Sequence, residues 1–214
     1  MAQSAQPRAL HVDSQERDGT RSSRGRLRHL RDNGQDAVRL IAALVGLIWC
    51  IGVLNHLSGF LLNQFGILPR TLPGLPGVVT WVLLHGSYLH MLLNTMPLLF
   101  LGFFVGLRGP VLFFKITAII WWGAGLAVWL LGRDAVHIGS SGLVFGYFGF
   151  LLAVAISERN VFDLGVASVV LFYYGGMFAG ILPADALVSW EAHLAGFITG
   201  GLAARWLGPE WAAR

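Results

Sequence analysis

Charged residues are scarce in this sequence. Only 12% of its 214 residues are charged and 55% are hydrophobic, whereas a soluble globular domain has about 25% charged residues. This scarcity excludes an ordinary water-soluble domain and predicts an integral membrane protein. The 28 glycines and eight tryptophans fit this class, because glycine is frequent in membrane helices and tryptophan gathers at membrane interfaces.

Cysteine and the common metal motifs are nearly absent as well. Cys50 is the single cysteine, so an internal disulfide is excluded and we expect a packing role for it. Zinc would have His85, His90 and His193 available, but no His-Glu-x-x-His motif or cysteine cluster supports it, and we expect no metal or other cofactor. The soluble-hydrolase motif Gly-x-Ser-x-Gly is missing too, because Leu143 occupies the place of its last glycine.

Arginine is concentrated before residue 40. This segment has eight arginines, five acidic residues and no apolar stretch, which predicts a disordered basic cytoplasmic tail over residues 1–39. The net charge of +4 does not indicate a nucleic-acid partner, because no surface of interleaved aromatic and basic residues accompanies it. The partners of the tail and the oligomeric state stay open.

Long apolar stretches dominate the rest of the chain. Since about 20 mostly apolar residues cross a bilayer, we predict an all-α bundle of six membrane spans within a domain at 40–207, followed by a short cytoplasmic tail at 208–214. The spans are 40–60, 79–106, 111–131, 141–157, 162–182 and 187–207. The proline- and glycine-rich residues 63–79 between the first two spans predict a structured loop or a partly embedded hairpin.

The positions of the cationic residues predict the orientation of the chain in the membrane. With the N-terminus in the cytoplasm, 13 of the 15 Lys and Arg lie in cytoplasmic segments, and only Arg70 and Arg133 lie in outer ones. Positive charge favours the cytoplasmic side, so both termini are predicted to be cytoplasmic. This orientation brings the polar residues of three spans together in the outer half of the membrane.

Span two has three such polar residues. His90 and Asn94 are four residues apart and therefore share one helix face, and His85, nine residues before Asn94, falls near the same face. Polar groups inside a bilayer indicate a functional site. On their own, however, these three residues are explained equally well by a satisfied cluster of interhelical hydrogen bonds.

Spans four and six have complementary glycine-rich faces. His193, Gly196 and Gly200 share a face of span six, and Ser141 and Gly142 open span four. Glycines let helix backbones approach closely, and such packing alone would explain them. If the two faces meet, Ser141 and His193 come together, and an adjacent histidine activates a serine as a nucleophile.

The residues around Ser141 suit the chemistry of acyl transfer. Gly139 lets backbone N–H groups turn towards a substrate, and the start of span four places a positive helix end nearby. His90 and Asn94 are candidate donors to a developing oxyanion. A third, acidic member is missing, because Glu191 is two residues from the histidine and faces another way. We therefore predict a Ser–His pair.

Three motifs, which follow one another along the chain, resemble those of the rhomboid family of intramembrane serine proteases. They are H-x4-H-x3-N from His85 to Asn94, G-x-S-G from Gly139 to Gly142, and A-H-x-A-G-x3-G from Ala192 to Gly200. The resemblance covers residues from about 40 to 207 and implies the six-helix fold of the simplest bacterial-type members. It also implies a multi-pass protein of the bacterial plasma (inner) membrane whose active site faces the extracytoplasmic side.

The resemblance further implies a role for each matching residue. Ser141 would be the nucleophile and His193 the general base, while Asn94, His90 and the Ser141 N–H would form the oxyanion hole. His85 would be a supporting histidine. The other predicted supporting residues are Gly139, Gly142, Phe145, Gly196 and Gly200. Substrates would be single-span membrane proteins, cut near the outer end of their membrane segment without a metal or cofactor.

Two positions depart from the family pattern. Phe145 stands where many members have a tyrosine that stacks beside the catalytic histidine; a phenyl ring still stacks, so we expect activity. Trp81 is followed by Val82 instead of the arginine many members have, which affects the anchoring of the first loop. The alternative functions are a catalytically silent relative that binds or chaperones client helices, and a small transporter or channel.

Overall fold

The computed structural model describes the backbone of residues 10–183 and 188–212, and the side chains of residues 33–183 and 188–208. This part of the chain is helical and contains no β-strand. Its α-helices are α1 Leu10–Leu57, α2 Gly77–Thr80, α3 Tyr88–Gly106, α4 Pro110–Leu131, α5 Ser141–Glu158, α6 Val161–Tyr174 and α7 Trp190–Ala212. Three 3₁₀ segments accompany them at Leu61–Phe65, Trp81–Leu83 and Gly175–Ile181.

Five helical segments are long and apolar enough to cross a membrane. They are Asn33–Leu57, Tyr88–Gly106, Pro110–Leu131, Ser141–Glu158 and Val161–Ile181. The predicted all-α membrane class is therefore confirmed, and the predicted third and fourth spans agree with α4 and α5 to within one residue. The glycine-rich and more polar α7 is not among the five, so the sixth span and the orientation of the termini stay predictions.

The first helix includes most of the segment whose composition predicts disorder. α1 runs without a break from Leu10 to Leu57, and residues 1–9 lie outside the described part. At its described side chains, the amide of Asn33 donates to the Leu107 carbonyl at 3.4 Å, which connects α1 to the end of α3. The disorder of the tail and the domain boundaries at residues 39 and 207 stay predictions.

The predicted start of span two is wrong by nine residues. Residues 77–83 form α2 and a 3₁₀ turn, and α3 begins only at Tyr88. Ser87 has extended backbone and caps α3, its hydroxyl accepting the His90 N–H at 3.1 Å, as serine does at helix starts. His85 therefore precedes the helix and does not share the helix face of His90 and Asn94.

The proline-rich segment between α1 and α3 is a structured loop, as predicted. Ile67 is fully buried and exchanges backbone hydrogen bonds with His137 at 3.0 and 2.9 Å. Trp81, just beyond α2, is also fully buried, and its carbonyl accepts the Gly139 N–H at 2.8 Å. The loop thus fixes the segment that leads into α5.

The glycine faces of α5 and α7 meet, as predicted. A Cβ atom on Gly196 would lie 2.0 Å from the Gly142 carbonyl oxygen, and one on Gly200 would lie 1.9 Å from that of Gly146. On the other helix, a Cβ on Gly149 would lie 2.2 Å from the carbonyl oxygen of Phe197. Backbone therefore touches backbone along this interface, and even a methyl group would force the helices apart.

Two adjacent glycines of α7 provide a matched test of this packing. We expect Gly200→Ala to destabilise the fold by about 1–3 kcal/mol or more, the range of overpacked cores. We expect Gly201→Ala to be neutral or to stabilise by up to about 1 kcal/mol through helix propensity, because no heavy atom lies within 4 Å of its added Cβ. Thermal unfolding in detergent measures both, and equal melting temperatures would contradict the close α5–α7 contact.

Candidate active site

A cavity of about 840 Å³ lies among α3, α5, α7 and the loops at one end of the bundle. Its lining includes Ser141, His193, His90, Asn94 and Phe145. All five of these residues are predicted from the sequence, and they come from three separate stretches of the chain. The fold thus brings the predicted catalytic, oxyanion-hole and stacking residues to one cavity.

Ser141 is the first residue of α5, where the first N–H groups of a helix lack intrahelical partners. Two residues earlier, Gly139 has φ of +120°, a conformation that L side chains rarely adopt. A Cβ there would lie 2.9 Å from His90 Nε2 and 3.7 Å from Ser141 Oγ. Gly139 therefore leaves room beside it for the imidazole of His90 and for the Ser141 hydroxyl.

His193 is held in one orientation by two contacts. The ring of Phe145 stacks on it with centroids 4.1 Å apart and planes 9° from parallel. Its Nδ1 lies 2.9 Å from the carbonyl oxygen of Gly180, in the 3₁₀ segment after α6. A carbonyl can only accept, so Nδ1 carries the proton and Nε2 keeps its lone pair.

Ser141 and His193 line the same cavity. Among the hydrogen bonds of the described residues, none joins their two side chains. Such a contact is often long in an enzyme without substrate and shortens in the Michaelis complex. The neutral imidazole with a free Nε2 is the form that accepts a proton from a serine.

The amide of Asn94 is an unusual feature of the cavity. Asn94 is 8% exposed, and its Nδ2 atom is buried without a hydrogen-bond partner among the described residues. A buried polar group without a partner requires an explanation. A donor kept free for negative charge that develops during a reaction is one such explanation.

His85 contacts the residue next to Ser141. Its Nε2 atom accepts the Ser140 N–H at 3.3 Å and lies 3.2 Å from the Ser140 hydroxyl. His85 is buried and lies outside the cavity lining, so these contacts support its predicted role as a supporting histidine. Ser140 occupies the unspecified position of the G-x-S-G motif, so the motif does not predict this contact.

A polar cluster that the sequence motifs do not predict borders the cavity. His137 is buried, and its Nδ1 lies 2.5 Å from the Ser189 hydroxyl; Arg133 Nε lies 3.6 Å from a Glu191 carboxylate oxygen. Burial lowers the pKa of His137 and so favours its neutral ring. Gly180 was also missed, because a backbone carbonyl that binds a distant side chain leaves no sequence signal.

No group of three or more His, Cys, Asp or Glu in the described residues has an arrangement that would hold a metal ion. The three histidines that zinc would have available lie in two different places. His90 and His193 line the cavity, whereas His85 binds the backbone next to Ser141.

Comparison with known proteins agrees with these motifs. A model of the rhomboid domain matches residues 74–210. An uncharacterized protein of Mycobacterium tuberculosis is 41% identical over 184 residues, which are 81% of this chain and 77% of that protein. An uncharacterized protein of Mycobacterium leprae is 35% identical over 173 residues, 77% of this chain and 68% of that protein. RHOMBOID-like protein 4 of Arabidopsis thaliana is 30% identical over 125 residues, 56% of this chain and 30% of that protein.

Proposed function

Because the chain belongs to the rhomboid family, we propose that it is an intramembrane serine endopeptidase with Ser141 and His193 as its catalytic pair. The observation that carries the proposal is the cavity shared by these two side chains and the unpaired amide of Asn94. A nucleophile, a base and an oxyanion donor are the three components that acyl transfer needs.

The geometry supports a definite sequence of steps. The oxygen of the Ser141 hydroxyl attacks the scissile carbonyl carbon while Nε2 of His193 takes the hydroxyl proton. During this step the Gly180 carbonyl accepts a hydrogen bond from the Nδ1–H of His193. The resulting oxyanion accepts hydrogen bonds from Asn94, His90 and the Ser141 N–H. His193 then protonates the leaving amine, and water, activated by the same histidine, releases the acyl group from Ser141.

We also propose the six-span topology with both termini in the cytoplasm. In this topology α7 is the sixth span, held in the membrane by its close packing against α5 despite its lower hydropathy. The distribution of Lys and Arg supports the orientation, and in this orientation the cavity lies at the extracytoplasmic end. The mycobacterial relatives support a bacterial plasma membrane.

The proposed substrates are single-span membrane proteins. The cavity has a mixed lining, in which Leu93, Pro97 and Met177 are apolar neighbours of the catalytic residues. A substrate helix has its carbonyls hydrogen-bonded and shielded, so it must unwind locally before Ser141 reaches one. Substrates with helix-destabilising and small residues near the outer membrane boundary therefore fit best.

The experiment is cleavage of a single-span reporter by the purified full chain in liposomes. We expect the wild type to cut near the outer boundary, His193→Ala to be inactive and His56→Ala to remain active. His56 is a matched control because it is an exposed histidine that contacts Phe60 and Tyr88 outside the cavity lining.

Two results would overturn the proposal. Cleavage that persists in His193→Ala would exclude the proposed base. A wild type that neither cuts the reporter nor reacts with a fluorophosphonate probe at Ser141 would instead indicate a silent relative that binds client helices.

A further inference from the structure

The segment before Ser141 is firmly attached to the proline-rich loop. His137, four residues before the serine, exchanges two backbone hydrogen bonds with Ile67, and Gly139 donates to the carbonyl of Trp81. These bonds use main-chain atoms only. The imidazole of His137 is therefore available for another contact.

That contact is with the residue that precedes α7. Nε2 of His137 lies 3.1 Å from the carbonyl oxygen of Arg133, which can only accept, so Nε2 carries the proton of the neutral ring. Nδ1 is then an acceptor, and the hydroxyl of Ser189 donates to it at 2.5 Å. His137 is 1% exposed, so water has little access to its side of this hydrogen bond.

Ser189 in turn contacts the turn of α7 that contains the proposed base. Its carbonyl accepts the His193 N–H at 3.2 Å, in the first turn of the helix. A short path of hydrogen bonds thus leads from the His137 ring through Ser189 to the backbone of His193. On the other side, four residues of chain lead from His137 to Ser141.

A second contact in the same region holds the same end of α7. Arg133 donates through Nη2 to the Val188 carbonyl at 2.7 Å, and its backbone N–H donates to Glu191 at 3.3 Å. Arg133 and His137 both belong to the segment between α4 and α5, whereas their partners flank the start of α7. The start of α7 is therefore held by the segment that leads into Ser141.

We propose that the His137–Ser189 hydrogen bond is a positioning contact that sets the separation between Ser141 and His193. The inference rests on the proposed function, since it assigns the contact to the geometry of that catalytic pair. Neither residue takes part in bond making. Their effect is on how often Ser141 Oγ and His193 Nε2 come within hydrogen-bonding distance.

The test compares Ser189→Ala with the conservative Ser189→Thr in the full chain. We expect Ser189→Ala to reduce kcat for the reporter, and the rate of fluorophosphonate labelling of Ser141, by about 10-fold, because small misplacements at an active site cost up to about 100-fold. KM should stay unchanged, and Ser189→Thr, which keeps a hydroxyl, should restore both rates. Ser58→Ala is the matched control, because it removes a partly buried hydroxyl that bonds the Asn55 carbonyl at 2.8 Å, away from the cavity lining.

The outcomes separate this inference from the proposed function. If the wild type is active and Ser189→Ala keeps its labelling rate and kcat, the proposed positioning role of the His137–Ser189 hydrogen bond is wrong. The proposed protease function is then unaffected. An increase in KM alone would also overturn the inference, since it would show that Ser189 contacts substrate. If the wild type neither cuts nor reacts with the probe, the proposed function and the inference fail together.

Discussion

Ser141→Ala is expected to lower the rate of reporter cleavage by at least about 10⁴-fold, the scale seen when a serine nucleophile is removed from a protease. In the proposed mechanism Ser141 Oγ forms the acyl intermediate, and alanine removes this atom while it retains the backbone N–H at the start of α5. Fluorophosphonate labelling should disappear at the same time. The measurement is the single-turnover rate in liposomes together with mass spectrometry of the labelled chain.

Ser140→Ala is the natural control because the two serines are adjacent. The Ser140 hydroxyl lies 3.2 Å from His85 Nε2 and outside the cavity lining. Its loss removes one hydrogen bond, worth about 1 kcal/mol, so activity should fall by less than about 10-fold. If Ser140→Ala abolished labelling and Ser141→Ala did not, the nucleophile would be misassigned.

Asn94→Ala is expected to reduce kcat by about 10²–10³-fold, the cost of losing one oxyanion-hole donor. It should do so without lowering the melting temperature, because Nδ2 of Asn94 has no partner to lose in the described part of the chain. A residue whose removal harms the rate and spares the fold is one that acts in the transition state. Reporter kinetics and thermal unfolding on the same preparation measure the two effects.

The neighbouring Thr95 provides a control for which we expect the reverse pattern, a loss of stability without a loss of rate. Its hydroxyl accepts from Trp49 Nε1 at 3.1 Å and donates to the Met91 carbonyl at 2.8 Å, so it holds α3 to α1 and does not line the cavity. Thr95→Ala should therefore lower stability by about 1 kcal/mol and leave kcat nearly unchanged. If Asn94→Ala instead lowered the melting temperature and left kcat unchanged, the amide would be structural.

Helices and their glycine faces were predictable because their signals are local and periodic. Apolar stretches of about 20 residues indicate membrane spans, and Gly196 and Gly200 fall on one face of α7 by their spacing alone. Their contacts with Gly142 and Gly146 follow from the absence of side chains. The same reasoning brought Ser141 and His193 to one cavity.

The sequence was least informative where a loop interrupts a helix or a backbone atom binds a distant side chain. The run of apolar residues around Trp81 looks like the start of a span, but Ser87 caps α3 later and leaves His85 in a loop. The carbonyl that binds His193 belongs to Gly180, 13 residues away in another segment. A carbonyl is present in every residue, so composition and spacing carry no information about which one is used.

The direct backbone contact between α5 and α7 also limits how this protein can be re-engineered. At most helix interfaces, a designer adjusts crossing angle or separation by exchanging one side chain for another of different volume. Here the carbonyls of Gly142 and Gly146 occupy the space where those side chains would be. Directed evolution therefore has to draw its variation from the cavity walls and loops, because α5 and α7 leave no room for a larger side chain at their glycine contacts.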